Sequence, residues 1–320
     1  MSFALHAKCE FVVSGNLVRD TVVRAVERLD FGATVWVDTM LQSLGGNGAN
    51  TAFGLARLGA PVTLFSACGD DDAGQACLTE LQQAGVRVAF VPRMGGATAT
   101  TIAIVNATGE RAFLHHPGVN RLALDGPVDF HAGEFSSTGP WHYHLANPFA
   151  LPAFREHASQ TLLRANRLGA TTSLDTGWDS KGRWLEDLEA CLPLVDLLFV
   201  NDREAEQLTG QREAGKMASA LHRLGARRLI LKLGEQGCLF SDEDDREVVP
   251  AFHVQVTDTT GAGDVFVAGY LAALRQGMAA LDAAQFANAV AALSIQASGS
   301  VGGLRDFDAT LAWMETQESA

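Results

Sequence analysis

Asp258-Thr259-Thr260-Gly261-Ala262-Gly263-Asp264-Val265-Phe266 sets a turn of small residues directly before an apolar run, Val265 to Leu274, that predicts a helix. A helix start presents backbone N–H groups without intrahelical partners and the positive end of a dipole. Glycines at 261 and 263, with only a methyl at 262 between them, let an anion come close to that backbone. Asp264 adds a carboxylate at the same place. An anion cradle beside a candidate general base is what moving a phosphoryl group onto a hydroxyl requires. The same residues also suit an ordinary glycine turn with an acidic first helical turn, so a second signal is needed.

Gly45-Gly46-Asn47-Gly48-Ala49-Asn50 supplies it. Three glycines in four residues give a loop with little bulk and access to positive φ. Two carboxamides project from it, and Asn50 is expected to open a helix. Asn both donates and accepts, which suits vicinal sugar hydroxyls; the alternative is a tight turn with Asn as a helix cap.

From this pair of segments the rest of the chain falls into a rhythm. Strand-like apolar runs alternate with helix-length segments, the βαβ pattern of a largely parallel sheet. Glu10–Gly15, Pro61–Ala67 and Val86–Val91 read as strands; Asn50–Leu58 and Ala73–Ala84 read as helices, each stopped by a glycine. Later, Thr171–Leu174, Leu197–Val200 and Arg228–Leu233 read as strands, with helices at Gln160–Leu168, Ala214–Leu224 and Ala279–Ala297. Asp175, Asn201 and Gly234 follow strand ends, which puts a crevice at the carboxyl edge of the sheet. Val18–Met40 and Thr98–Leu114 break the rhythm, alternating β-branched and polar residues without a helix. They predict a small antiparallel sheet apart from the main fold, a lid of about residues 16–42 and 95–118 on a single domain of 1–320.

Four motifs in register carry a resemblance to the ribokinase-like, or PfkB-type, carbohydrate kinases, over roughly residues 10 to 305. Residues 45 to 69 are similar to that family's N-terminal signature, and Asp258 to Gly269 to its C-terminal signature. Asn201-Asp202-Arg203-Glu204 matches its Asn-x-x-Glu motif, and Gly234-Glu235-Gln236-Gly237 its Gly-x-x-Gly nucleotide loop. The resemblance implies a three-layer α/β sandwich with a mostly parallel central sheet and a small β lid. It implies an ATP-dependent phosphotransferase acting on a hydroxyl of a small sugar or sugar-like polyol. Asp264 would be the base, and the N–H groups of Gly261, Ala262, Gly263 and Asp264 the anion hole. Asp20, Gly46, Asn47 and Asn50 would bind the sugar. Lys232, Gly234 and Gly237 would lie by the nucleotide phosphates and Asn288 by the adenine. Asn201 and Glu204 would organise Mg²⁺ largely through waters, although the pair also fits a helix capping box. Asp258, Thr260 and Ser298 would hold a monovalent cation such as K⁺. Members of the family often pair through their lids as homodimers.

The chain also departs from the family. Ribokinase itself has Lys where Asn47 stands and an acidic residue where this chain has Ala146 or Asn147, so ribose is not the acceptor the resemblance implies. A nucleoside kinase would need an aromatic slot, for which Phe31, Trp36 or Phe113 could serve. A phosphosugar would need a cationic pocket, with Arg19, Arg24 and Arg111 near the lid. A non-catalytic binding regulator on the same fold would be expected to have lost the base, and Asp264 is present.

Composition narrows the partners. Net charge is −13 with 19% charged residues, which argues against nucleic acid and leaves dipoles and a metal to hold a polyanion such as ATP. Apolar residues make up 47%, enough for a large core. Five scattered cysteines form no CxxC pair, and no run of 18 apolar residues occurs, which fits a cytoplasmic protein with no membrane span. Gly210–Met217 imitates a phosphate loop, but Met217 replaces the hydroxyl residue that binds Mg²⁺. His142 and His144 share a strand face without a third metal ligand, so core or pocket roles are expected; His115-His116 is placed to touch substrate.

Overall fold

The structure, a computed structural model, describes residues 4–24, 26–29, 31–108, 110–130, 135, 139–242 and 245–318. Residues 25, 30 and 109 of the expected lid lie outside that set. The chain begins with β1 (Glu10–Ser14), β2 (Val18–Arg24), β3 (Thr39–Gly45), α1 (Asn47–Arg57), β4 (Val62–Phe65), β5 (Cys68–Gly69) and α2 (Asp72–Ala84). It continues with β6 (Arg87–Phe90), β7 (Arg93–Met94), β8 (Thr100–Val105), β9 (Arg111–His116), β10 (Trp141–Ala146), α3 (Ala158–Arg167) and β11 (Thr171–Asp175). Then come α4 (Leu185–Leu188), β12 (Leu197–Asn201), α5 (Asp202–Thr209), α6 (Ala214–Arg223), β13 (Leu229–Lys232), β14 (Cys238–Ser241) and β15 (Arg246–Val249). Helices α7 (Ala262–Arg275), α8 (Ala280–Ser294) and α9 (Phe307–Glu318) close the chain.

Nine strands form the central sheet in the order β15-β14-β13-β12-β11-β10-β1-β4-β6. It is parallel from β13 to β6, and only β14 runs against its neighbours. The strands read as continuous apolar runs because both faces are covered. Phe11, Val13, Leu197, Phe199 and Ile230 pack on one face with α1, α2, α7 and α8. Val12, Leu198, Val200, Leu229 and Leu231 pack on the other with α3, α5 and α6. This is a three-layer sandwich. Close helix packing depends on glycine: a Cβ on Gly54 of α1 would come within 2.7 Å of Ala268 Cβ in α7, and one on Gly269 within 3.1 Å of Ala287 Cα in α8.

The second sheet has four strands in the order β3-β2-β8-β9. Its outer pairs are antiparallel, but the central pair, β2 with β8, is parallel, so the expected antiparallel lid is a mixed sheet. Alternation along a strand fixes faces, not the direction of the partner. β2 follows β1, and β8 follows β6 after the short β7; β1 and β6 are strands of the parallel sheet, so both segments leave it from the same edge and run the same way. β3 continues to Gly45, past the expected limit at 42, and so delivers the chain into the glycine loop at the start of α1.

Candidate active site

The glycine loop is shorter than the sequence suggests. Helix α1 begins at Asn47, three residues before the expected start, with Gly46 at its N-cap and φ of 93°. Only glycine takes that conformation without strain. Gly48 sits in the helix because a Cβ there would meet Gly15 Cα at 2.6 Å, where the helix start touches the end of β1. Asn47 and Asn50 therefore project from the first helical turn, one turn apart on one side.

Both point at Asp264. Asn47 Nδ2 donates to Asp264 Oδ1 at 2.7 Å, and Asn50 Nδ2 to Oδ2 at 2.8 Å. Their other ends are also engaged: Asn47 Oδ1 accepts from Asn147 Nδ2 at 2.8 Å, and Asn50 Oδ1 from Ser300 Oγ at 2.9 Å. The two carboxamides expected to clasp a sugar also hold this carboxylate, and both line the cavity beside it. Burial raises the Asp264 pKa above the usual carboxylate range, and the bonds from Asn50 and Asn47 and the charge of Lys232 pull back only in part.

Gly261, with φ of 73°, is the N-cap of α7, and a Cβ there would lie 2.5 Å from Ser300 Cβ. The Ala262 N–H already donates to Thr259 O at 3.3 Å, and Val265 N–H closes the first helical bond on Gly261 O at 3.0 Å. The N–H groups of Gly263 and Asp264 lie between, at the positive end of the helix dipole. Of the expected donors, the Ala262 N–H is the one with a main-chain partner in this turn.

This turn separates two cavities. One, of about 690 Å³, is lined by Asp264, Gly261 and Thr260 together with Asn16, Asp20, Gly46, Asn47, Asn50 and Asn147. The other, of about 490 Å³, is lined by Ala262, Gly263 and Thr259 together with Lys232, Gly234, Gly237, Phe266 and Asn288. Asp20, Gly46, Asn47 and Asn50 fall in the first, and Lys232, Gly234, Gly237 and Asn288 fall in the second. Asp20, half-buried and beside the charges of Asp264 and Asp258, has its pKa raised to about 6, chiefly by desolvation. Asn288 Nδ2 donates to Val249 O at 3.1 Å and Pro250 O at 3.0 Å, fixing the wall of the second cavity.

Behind the turn lies a charge cluster. Lys232 Nζ pairs with Asp175 Oδ1 at 2.8 Å and Oδ2 at 2.9 Å. A Cβ on Gly263 would lie 3.3 Å from that ammonium, so Lys232 borders the anion hole. Burial would lower the Lys232 pKa, but Asp175 and Glu204 hold it above its ordinary value. Glu204 is raised by burial and has Oε2 fixed by Thr176 Oγ1 at 2.8 Å and Asn201 N–H at 3.1 Å. With Asn201 Oδ1 accepting Glu204 N–H at 2.8 Å, the pair is a complete capping box on α5. Asp175 was legible as a polar residue after a strand but had no role in the sequence reading.

Other expectations are placed differently. Asp258 faces the guanidinium groups of Arg24 and Arg111, and Ser298 faces that of Arg24. Arg19 pairs with Glu80, so none of the three lid arginines lines the acceptor cavity; Arg121 does. Of the expected aromatics only Phe113 lines that cavity; Phe31 and Trp36 stand at 109% and 89% exposure, and Trp178 and Phe149 supply the ring wall instead. His115 lines the cavity and bonds Thr101 at 3.1 Å, while His116 is one residue on, on the opposite face of its strand. His142 and His144 both bond Ser173 Oγ inside the sheet, at 2.7 and 2.8 Å, and burial keeps them neutral. The Gly210–Met217 segment joins α5 to α6 with no strand leading in. All five cysteines are free and buried, and no helix among the described residues is long and apolar enough to cross a membrane.

The pfkB family carbohydrate kinase pattern matches residues 10–306. The 2-dehydro-3-deoxygluconokinase of Bacillus subtilis is 26% identical over 298 residues, covering 91% of this chain and 92% of that protein. The ATP-dependent ribose-1-phosphate kinase of Halopiger xanaduensis is 31% identical over 291 residues, covering 90% and 93%. Arabidopsis thaliana ribokinase, solved with ribose and ATP, shares the fold at a TM-score of 0.82 and 23% identity, over 96% of this chain and 99% of that one.

Proposed function

This chain belongs to the pfkB family of carbohydrate kinases, and on that premise we propose which of its residues transfer a phosphoryl group from ATP to a hydroxyl of a small sugar or sugar-like polyol. The observation that carries the assignment is the wall between the two cavities: Asp264 opens on one, Gly263 on the other. An acceptor in the larger cavity and ATP in the smaller one meet at the start of α7. Asp264 takes the proton of the acceptor hydroxyl at one carboxylate oxygen. The N–H groups of Gly263 and Asp264 face the charge that develops on the transferred group, and Lys232 adds a positive field beside them. Asn201 and Glu204 would hold Mg²⁺ through its waters, since Glu204 is anchored by one oxygen at a strand end; bound there, Mg²⁺ neutralises phosphate charge. The bonds from Asn47 and Asn50 favour the ionised form of the base and aim it.

Asp20 is assigned to the acceptor hydroxyls, with Asn16 and Asn147 beside it. Asp20→Ala is expected to raise KM for the acceptor about tenfold or more, the worth of a charge-assisted hydrogen bond. With the Asp20 pKa raised to about 6, kcat/KM for the acceptor should fall as pH drops through that value, where protonation removes an acceptor oxygen. A profile flat through that range, or an Asp20→Ala enzyme with unchanged KM, would remove Asp20 from the site.

The relatives are named for different acceptors, so the acceptor is argued from the cavity. Its carboxamide and carboxylate floor suits hydroxyls. A nucleoside is the second reading, because Phe113 and Trp178 stand 57% and 55% exposed on the same cavity and could flank a base. Screening phosphorylation of sugars, sugar acids, polyols and nucleosides with ATP separates the two. Transfer to nucleosides alone would overturn the sugar reading, and no transfer to any of them would leave a binding regulator.

The small sheet is assigned the role of a lid, since β2, β8 and β9 carry Asp20, Thr101, Phe113 and His115 over the cavity. Its opposite face exposes Met40, Ile102 and Leu114, and we assign it to a second copy of the chain. Sedimentation should then give a dimer that Leu114→Lys weakens; a monomer at all concentrations would overturn this. Five buried free thiols suit a reducing cytoplasm.

A further inference from the structure

The turn that carries the anion hole is held from outside by two arginines of the small sheet. Asp258, only 2% exposed, lies just before it. Its Oδ1 accepts Thr260 N–H at 3.0 Å and Thr260 Oγ1 at 2.7 Å, and faces Arg111 Nη2 at 3.1 Å. Its Oδ2 accepts Gly299 N–H at 3.1 Å and faces Arg24 Nη2 at 3.8 Å. Arg111 Nη1 also reaches the hydroxyls of Thr259 and Thr260, each at 3.2 Å. Arg24 Nη2 reaches Ser298 Oγ at 3.5 Å and Thr257 O at 3.4 Å. Burial alone would raise the Asp258 pKa, but the Thr260 and Gly299 bonds and the Arg111 charge hold it below its ordinary value.

The Asp258 carboxylate and the Ser298 hydroxyl are two of the three groups that the resemblance assigns to a monovalent cation, the third being the Thr260 carbonyl. Two guanidinium groups already face that carboxylate, and their like charge repels a cation. The arginines also belong to one row of the lid: Arg24 pairs in register with Val105, and Val105 with Arg111. The face that meets the acceptor through Asp20, Thr101 and His115 is the face that grips the anion-hole turn.

We infer that the guanidinium groups of Arg111 and Arg24 take the place of a monovalent cation at Asp258, so that this kinase works without K⁺ and Arg111, as a positioning residue, ties the acceptor lid to the phosphoryl-binding turn. The inference rests on the kinase reading above for its effect on turnover, but not for the exclusion of K⁺.

The test compares K⁺ with tetramethylammonium chloride at equal ionic strength, on wild type, Arg111→Gln and Arg111→Lys. Wild-type kcat and melting temperature are expected to be the same in both salts. Arg111→Gln is expected to lose about tenfold to a hundredfold in kcat, the range for a small misplacement of reacting groups, with KM for ATP little changed. K⁺ should restore part of that loss and raise the melting temperature of this variant alone, and Arg111→Lys should keep most of the activity. A wild-type melting temperature raised by K⁺ but not by tetramethylammonium overturns the inference whether or not an acceptor has been found. So does an Arg111→Gln enzyme with wild-type kcat. A protein blind to K⁺ in melting yet without kinase activity would leave the exclusion standing and sink the proposed function instead.

Discussion

Asp264→Asn is expected to lower kcat by about 10²–10⁴-fold, the usual worth of a positioned general base. The variant keeps the shape and removes the charge and the basicity. Its amide must present at least one N–H toward Asn47 Nδ2 or Asn50 Nδ2, both of which now donate to the carboxylate. Leaving a buried donor unpaired costs about 1–3 kcal/mol, so melting temperature should be followed beside turnover. Nucleotide affinity should not change, because Asp264 does not line the cavity assigned to ATP. Unchanged kcat in a folded variant would end the assignment of the base. Lost ATP binding would show instead that the carboxylate organises the turn.

Lys232→Met is expected to reduce both stability and turnover. The ammonium is the cation of a cluster in which Asp175 is 6% exposed and Glu204 and Asp264 lie within its field. Removing one partner of a buried pair leaves the other charge uncompensated, at about 3–5 kcal/mol. The pH dependence has a defined sign. Without Lys232 the Asp175 carboxyl, already raised by burial, is raised further above its unfolded value. Such a group destabilises the fold where its unfolded form is ionised, so the deficit should grow as pH rises and shrink in acid. Urea denaturation at acidic and neutral pH measures this. A double variant, Lys232→Met with Asp175→Leu, should recover stability but not turnover, since the positive field beside Gly263 stays lost. A deficit under about 1 kcal/mol, the range of an exposed pair, would contradict the burial argument.

The alternation of apolar runs with glycine-stopped helices gave the parallel core directly, because strands covered on both faces must be apolar throughout. Helix positions were legible to within a few residues, as at Ala214–Arg223. The exceptions are instructive. The start of α1 was misplaced because Gly46 caps it by conformation rather than by a side-chain bond. The β14–β15 hairpin and α9 have no counterpart in the sequence reading, since strands of four residues and a terminal helix without a clear apolar stripe carry little periodic signal. The small sheet, expected to be antiparallel, contains a parallel β2–β8 pair, because nothing local encodes which way a distant strand runs.

Local chemistry was what the sequence determined by itself. A small-residue turn before an apolar helix makes an anion site wherever it is placed, and Asp264 accompanies it by chain connectivity alone. Tertiary structure decided what those groups face. Asn47 and Asn50 look like sugar ligands in the sequence and become the brackets of a carboxylate more than two hundred residues away. Asp258 looks like a cation ligand and meets two arginines from another sheet. Electrostatic partners are chosen by through-space distance, and in a parallel sheet with long crossovers that distance bears no relation to separation along the chain.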